Sequence, residues 1–91
     1  MASGKVSKII KTQSFDVTSA NTAYNGWYDA DILTFDYDIN TIIGVIVTGT
    51  FNNVPAFPQL ISYGGIGALN RVRIHTAAAN TRVTGKIFFM A

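Results

Sequence analysis

The sequence predicts an all-β domain, a small antiparallel β-sandwich of about six strands with a jelly-roll-like winding. Residues 41–48 read TIIGVIVT, a run in which six consecutive positions lack a polar side chain. Elsewhere Val, Ile, Thr and aromatic residues dominate, as is typical of strands, and no segment has the i, i+3, i+4, i+7 apolar spacing of a helix. Short strands at regular spacing, with turn signals between them, indicate a sandwich or a barrel.

Six strands are expected, and each is bounded by residues that favour turns. They are Val6–Val17, Tyr28–Phe35, Thr41–Thr48, Gln59–Tyr63, Ala68–Thr76 and Thr81–Met90. In the first strand a break near Lys11–Gln13 is left open. The apolar alternation of the second strand changes phase, which indicates a bulge near Ile32–Leu33.

The loops between these strands carry recognisable turn chemistry. Asn25-Gly26 is the turn dipeptide of the loop Thr18–Trp27, because both residue types tolerate a left-handed backbone. Two prolines fix the loop Asn52–Pro58, and a glycine cluster ends the fourth strand. The last two strands are joined by Ala77–Asn80 and are expected to pair as a hairpin.

The third strand needs cover on both of its faces, because successive side chains of a strand point to opposite sides. The two sets are Ile42, Gly44 and Ile46 on one side and Ile43, Val45 and Val47 on the other. An exposed face of this uncharged, β-prone composition would aggregate. A second layer of sheet and a second copy of the chain are therefore expected to cover it. Ile43, Val45 and Val47 are candidate interface residues.

The expected final hairpin brings like charges together, which is unfavourable. With a four-residue turn, the opposed pairs are Arg71 with Lys86 and His75 with Arg82. An anionic group is therefore expected beside them. It is either the pair of aspartates on one face of the second strand, Asp29 and Asp31, or a ligand.

Phe88 and Met90 lie on the outward face of the last strand, where apolar side chains favour a subunit contact. With Arg71, Arg73 and the third-strand residues, they complete the candidate interface. A chain of 91 residues is near the lower limit for independent folding, and 48% of this one is hydrophobic. Without disulfides, oligomerisation is the stabilising device that remains. We therefore expect a homo-oligomer.

One domain is expected, with residues 1–13 as an N-terminal lead-in and first strand and residues 14–91 as the sandwich. The chain has no cysteine and a net charge of +2, so no disulfide, thiolate metal site or nucleic-acid partner is expected. Its apolar run is shorter than the roughly 20 residues that span a membrane. The N-terminus lacks the apolar core of a signal peptide. We expect synthesis in the cytoplasm and no membrane insertion.

Motifs for metal binding and catalysis are incomplete. Asp36–Asn40 begins like a calcium loop, but Thr41 stands where that loop needs glycine and Val47 where it needs glutamate. Incidental calcium there stays open beside the simpler reading of solvated aspartates. Gly64–Gly67 lacks the helix and lysine of a phosphate-binding loop. His75 is the only histidine, so zinc and Ser-His-Asp sites lack a full residue set. No enzyme, metal or cofactor is expected.

Aromatic and amide side chains crowd the loop before the second strand. They are Tyr24, Asn25, Trp27 and Tyr28. Rings that stack on the apolar faces of sugars, beside polar groups that bind hydroxyls, are typical of shallow saccharide sites. The alternative is that Trp27 and Tyr28 only close the end of the sandwich.

Three segments follow one another between residues 15 and 90: FDVTSANTAYNGWYDADI, TIIGVIVTG and ALNRVRIHTAAANTRVTGKIFFM. In this order they resemble the small C-terminal head domains of tailed-bacteriophage tail-fibre, baseplate and minor structural proteins. Those domains run from an S/T-x-x-A-N loop to a P/T-I-x-G-V-V-G strand and a closing hairpin with an apolar end. Two departures are present. Only Met1–Gln13 stands where the family has a long shaft, so we expect the chain to be either a fragment of a fibre or a stand-alone virion component. Asp36–Asp38 replaces a Gly-Tyr-x-Pro turn.

The resemblance implies a non-enzymatic homotrimer displayed on a virion, in contact with other virion proteins and with a saccharide of the host surface. The aromatic loop would then supply the receptor contacts. Two alternatives remain. One is a capsid decoration or other architectural protein of the same fold without a sugar site. The other is a carbohydrate-binding module of a cellular enzyme, which would be monomeric.

Overall fold

The computed structural model describes residues 9–32, 39–61 and 71–91. Its strands are β1 (Ile10–Thr18), β2 (Tyr28–Ile32), β3 (Ile42–Thr50), β4 (Ala56–Ile61), β5 (Arg71–Thr76) and β6 (Arg82–Met90). Two short 3-10 helices, Ile39–Thr41 and Phe51–Asn53, flank β3, and the described residues contain no α-helix. The predicted all-β class is confirmed.

The six strands form two antiparallel three-stranded sheets. The first sheet has the order β1-β6-β3 and the second has the order β2-β5-β4. The first strand thus lies beside the last, and the second beside the fifth, which is the nested winding of a jelly roll. The predicted antiparallel sandwich is confirmed, and β5 and β6 are the central strands of its two sheets.

The core lies between the inner faces of the two sheets. Its buried apolar residues are Phe15, Ala30, Ile32, Val72, Ile74, Val83, Ile87 and Phe89. In β5 and β6 the buried positions alternate strictly with more exposed ones, because side chains of a half-buried strand point alternately inward and outward. The outward position predicted for Phe88 and Met90 is confirmed.

A cluster of buried hydroxyl groups stabilises the connection between β5 and β6. Ser19, Thr76 and Thr81 are each at most 3% exposed. Ser19 Oγ accepts hydrogen bonds from Thr76 Oγ1 (2.8 Å) and from the Thr81 N–H (2.9 Å). Thr81 Oγ1 donates to the Ala78 carbonyl (2.8 Å). Because an unpaired polar group is costly to bury, these bonds stabilise one path of the chain between the sheets.

The prediction that the last two strands pair as a hairpin is wrong. β5 pairs with β2 and β4, whereas β6 pairs with β1 and β3. Arg71 therefore does not lie opposite Lys86, and His75 does not lie opposite Arg82. Strands that each bury one face can either pair within a sheet or face each other across the core, and this chain uses the second arrangement.

The alternation predicted for β3 is also wrong, because its pairing with β6 shifts register on both sides of the segment Gly44–Val47. Each shift adds one residue to β3, as in a β-bulge, and reverses the phase of the side chains. Ile42, Val45 and Val47 pack against the core, whereas Ile43 and Ile46 are 57% and 51% exposed. Ile43 thus lies on the opposite side from Val45 and Val47, with which it was grouped.

Two other segments are settled by the pairing. β1 runs without a break through Lys11–Gln13, where an interruption was left open. β4 begins at Ala56 and includes Pro58, although residues 52–58 were expected to form a loop. Proline removes a backbone donor but is tolerated on an edge strand, and β4 is an edge of its sheet.

Some expectations lie outside the described residues. They concern residues 1–8, the bulge at Ile32–Leu33, Asp36 and Asp38, and the glycine cluster Gly64–Gly67. The incidental calcium considered at the two aspartates stays a sequence-based alternative.

We expect Gly85→Ala to destabilise the protein. A Cβ at position 85 would collide with the Ile46 carbonyl oxygen and with the Phe15 ring, which packs over this glycine. Overpacking of this kind costs about 1–3 kcal/mol, and the backbone contact cannot be relieved by a rotamer change. Urea unfolding measures the difference in the free energy of unfolding.

Gly44→Ala is the matched control, because a Cβ at position 44 has no heavy atom within 4 Å. Removing a strand glycine restricts the unfolded chain, so its free energy of unfolding should stay equal or rise by up to about 1 kcal/mol. Equal losses from both substitutions would contradict the packing assigned to Phe15.

Candidate functional site

Ionisable side chains cover the outer face of the second sheet. Burial of Ala30, Val72 and Ile74 on the inner face turns the alternate residues of β2 and β5 outward. These outward residues are Asp29, Asp31, Arg71, Arg73 and His75. Pairing places Asp29 opposite His75 and Asp31 opposite Arg73. Of the two alternatives left open for an anionic group beside these cations, the structure shows the aspartates.

Asp31 is the centre of the charged network. Its Oδ1 accepts a hydrogen bond from Arg73 Nε (2.7 Å), and its Oδ2 accepts bonds from Arg71 Nη1 (2.8 Å) and Arg73 Nη2 (3.2 Å). All three side chains are between 20% and 23% exposed. Burial raises the pKa of Asp31, but the hydrogen bonds and charges of the two arginines outweigh this effect and lower the pKa below its ordinary value.

His75 joins an acidic and an amide side chain. Its Nδ1 lies 2.6 Å from Asp29 Oδ1, and its Nε2 lies 2.6 Å from Gln59 Oε1. A proton on Nδ1 donates to the carboxylate. Nε2 then either donates to Oε1, in a doubly protonated ring, or accepts from the amide nitrogen after a flip of Gln59. Asp29 and His75 thus have the carboxylate–imidazole geometry of a hydrolase relay, but Nε2 contacts an amide where a relay has a nucleophilic hydroxyl.

Two aromatic rings extend this network across the sheet. Phe57 lies opposite His75 in the pairing of β4 with β5, and their ring centroids are 4.8 Å apart at a tilt of 32°. Trp27 contacts Phe57 edge to face, with centroids 4.9 Å apart. We call the whole surface the ring-and-charge face. Its members are Trp27, Asp29, Asp31, Phe57, Gln59, Arg71, Arg73 and His75.

The predicted aromatic loop is only partly directed to this surface. Tyr24 and Trp27 exchange two backbone hydrogen bonds, of 2.8 and 3.0 Å, around Asn25 and Gly26. Both central residues have positive φ, 52° and 84°, as a two-residue hairpin turn requires, so the predicted turn dipeptide is confirmed. Tyr24 is 71% exposed and shares a side of the turn with Trp27. Tyr28 is turned to the other side, because it follows Trp27 directly and pairs with buried Thr76.

Phe57 and Gln59 were missed by the sequence analysis. Pro55 and Pro58 predict a loop over residues 52–58, which leaves Phe57 without an assigned sheet face. The sequence signal for their shared face was the two-residue spacing of Phe57 and Gln59 on either side of Pro58. Side chains two residues apart lie on the same face of a strand.

The predicted interface residues lie in three different parts of the domain. Val45 and Val47 pack against the chain's own core, and Arg71 and Arg73 belong to the ring-and-charge face. Ile43, Phe88 and Met90 face outward from the first sheet. A groove of about 510 Å³ on that outer face is lined by Ile10, Ile43, Gly44, Val45, Ile46 and Phe88, and we call it the apolar groove.

Within the described residues, no group of three or more His, Cys, Asp or Glu side chains could hold a metal ion. No helix in that part of the chain is long and apolar enough to cross a membrane. The side chains of the ring-and-charge face offer aromatic stacking, hydrogen bonding and ion pairing.

We expect Asp31→Asn to lower the thermal unfolding temperature at neutral pH, because it leaves two partly buried guanidinium groups without their shared carboxylate. The pKa of Asp31 is lowered in the folded state. Its contribution to stability is therefore complete above its unfolded pKa of about 4 and is lost as the pH falls through the folded value. The Tm difference between wild type and variant should be largest at neutral pH and should shrink below about pH 4.

Asp16→Asn is the matched control. Asp16 also pairs with an arginine, Arg82 (2.6 Å), but these side chains are 51% and 66% exposed, and exposed pairs contribute little. Its Tm at neutral pH should change less than that of Asp31→Asn. A pH-independent loss in Asp31→Asn would contradict the role given to its charge.

Comparison of the chain with protein-family models, with curated proteins and with solved structures finds no significant match.

Proposed function

We propose that this chain is a non-enzymatic structural protein of a bacteriophage virion, a homotrimeric head domain of a tail fibre or baseplate that contacts a host-surface saccharide. The observation that carries the saccharide part is the ring cluster Trp27–Phe57–His75 beside the hydrogen-bonding groups of Asp29 and Gln59. The virion setting rests on the resemblance to phage head domains.

The composition of the ring-and-charge face suits a sugar ligand. Phe57 is 42% exposed and Tyr24 is 71% exposed, so apolar ring surface is accessible at the end of the sheet where the polar side chains begin. Sugars present apolar C–H faces to aromatic rings and hydroxyl groups to carboxylates and amides. A shallow site on the rigid face of a sheet is compatible with binding to a polymer on a cell surface.

The outer face and the β3 edge of the first sheet support the proposed oligomer. The apolar groove exposes Ile10, Ile43 and Ile46, each more than half accessible, next to Phe88. The adjoining strand β3 is an edge of its sheet, and Ile42–Thr50 contains no charged residue and no proline, the usual protections of an edge. A second copy of the chain would cover both features, and closed symmetry limits such contacts to a finite oligomer. Three copies are the number that the resemblance implies.

An architectural role without a sugar site is the second candidate. It is favoured by the extensive bonding of the charged groups of the ring-and-charge face to one another, since a purely structural network needs no ligand. Saccharide binding, followed through the fluorescence of Trp27, separates the two candidates. A response to host-surface glycans supports the head-domain proposal, and silence across a broad panel supports the architectural one.

We expect light scattering coupled to gel filtration to give a mass of about three times the 9.8 kDa of the chain. Ile46→Glu would place a carboxylate beside the apolar groove and should dissociate the oligomer. Phe51→Glu is the control, because Phe51 is also exposed (66%) but lies outside that groove. A monomeric wild-type chain, or equal dissociation by both variants, would contradict the proposed assembly.

A further inference from the structure

The carboxylates and guanidinium groups of the ring-and-charge face are equal in number and are paired with one another. Two carboxylates, Asp29 and Asp31, face two guanidinium groups, those of Arg71 and Arg73. Asp31 binds both arginines, and Arg73 Nη1 also lies 3.8 Å from Asp29 Oδ2. All three guanidinium nitrogens of Arg73 thus lie within 3.8 Å of a carboxylate oxygen. An anionic ligand would have to share cations that the carboxylates already hold.

Sharing them is costly at this degree of burial. The side chains of Asp31, Arg71 and Arg73 are less than a quarter exposed, and separating a partly buried pair leaves a charge without its partner. The two carboxylates also repel a negative ligand directly. An acidic sugar therefore gains little from this surface, despite the presence of two arginines.

An uncharged sugar does not need the pairs to separate. A hydroxyl group both donates and accepts hydrogen bonds, and each carboxylate oxygen has two acceptor positions. Asp29 Oδ2 is 3.8 Å from its arginine neighbour, beyond hydrogen-bond length, so it can accept from a hydroxyl. The amide of Gln59 can donate to one or accept from one.

The apolar part of the site lies next to these groups. Phe57 contacts the rings of Trp27 and His75 and is still 42% exposed. Gln59 projects from the same face of β4, two residues along, which is about 7 Å at the rise of a strand. A pyranose whose C–H face rests on Phe57 therefore has its hydroxyl groups within reach of the amide.

From this arrangement we infer that the ring-and-charge face binds an uncharged pyranose, with Phe57 as the stacking platform and Gln59 and Asp29 as the hydroxyl partners, and that it disfavours saccharides carrying carboxylate or phosphate. This inference rests on the proposed saccharide-binding function and specifies its ligand class.

The test uses the full chain and a panel of neutral oligosaccharides, among them lactose and chitotriose, each beside an acidic counterpart such as 3′-sialyllactose or a phosphorylated derivative. Titration calorimetry measures affinity, and the fluorescence of Trp27, the only tryptophan, reports binding next to Phe57. We expect at least one neutral saccharide to bind and its acidic counterpart to bind at least tenfold more weakly.

Phe57→Ala should weaken binding of the neutral saccharide at least tenfold. Phe51→Ala removes another exposed phenyl ring from a different part of the surface and should leave the affinity unchanged. Circular dichroism establishes whether each variant is folded. If Phe57→Ala does not fold, Gln59→Leu, at an exposed position, replaces it and should also weaken binding.

The outcomes separate the inference from the function on which it rests. Tighter binding of the acidic counterparts would overturn the inference and leave saccharide binding in place. If the neutral saccharide binds equally well to wild type and to Phe57→Ala (or to Gln59→Leu in its place), the ligand binds elsewhere on the protein. That result would also overturn the inference. No binding by any member of the panel would contradict the proposed saccharide function itself.

Discussion

Burial of one side of β5 and one side of β6 is the constraint on which the rest of the structure depends. Each is the central strand of its sheet, and Val72, Ile74, Val83 and Ile87 are fully buried. Side chains of a strand alternate, so burying one set fixes the direction of the other. The exposed chemistry of both sheets is therefore determined by the packing between them.

The two outer faces that result differ in character. The second sheet presents ion pairs and aromatic rings, whereas the first presents an apolar groove near Ile43 and Phe88 beside an uncharged edge. A single small sandwich thus separates a face of ion pairs and aromatic rings from an apolar face on opposite sides of one core. The buried hydroxyls of Ser19, Thr76 and Thr81 support this separation, because they hold the chain where it passes from one sheet to the other.

The fold class and much of the site could be predicted because they depend on local patterns. The alternation of β5 and β6 and the Asn25-Gly26 turn followed from the sequence, which also indicated Asp29 and Asp31 as one of two possible anionic groups beside the basic fifth strand. The pairing of the last two strands did not, since strands that face each other across a core have the same burial pattern as strands paired in a hairpin. Choosing between them requires the contacts of Ser19, which lies about 60 residues away from its partners in the chain.

The phase of β3 and the membership of Phe57 in the site were missed for a related reason. A bulge is set by the partner strand, so six apolar residues in a row carry no sign of where it falls. Pro58 indicated a loop because proline breaks most strands, but an edge strand accepts it. Both errors concern positions where the tertiary arrangement overrides a local preference.

The two bulges of β3 have a consequence for how far strand pairing can extend. An unprotected, uncharged edge would ordinarily act as a template on which copies add one after another into a fibril. Each bulge bends and twists the strand, so a straight incoming strand could match its hydrogen-bonding groups only along Gly44–Val47. Pairing over so few residues would need side-chain packing to stabilise a contact between two copies. The two bulges of β3 therefore limit fibril-like strand addition, and the short segment Gly44–Val47 is still able to pair with another strand.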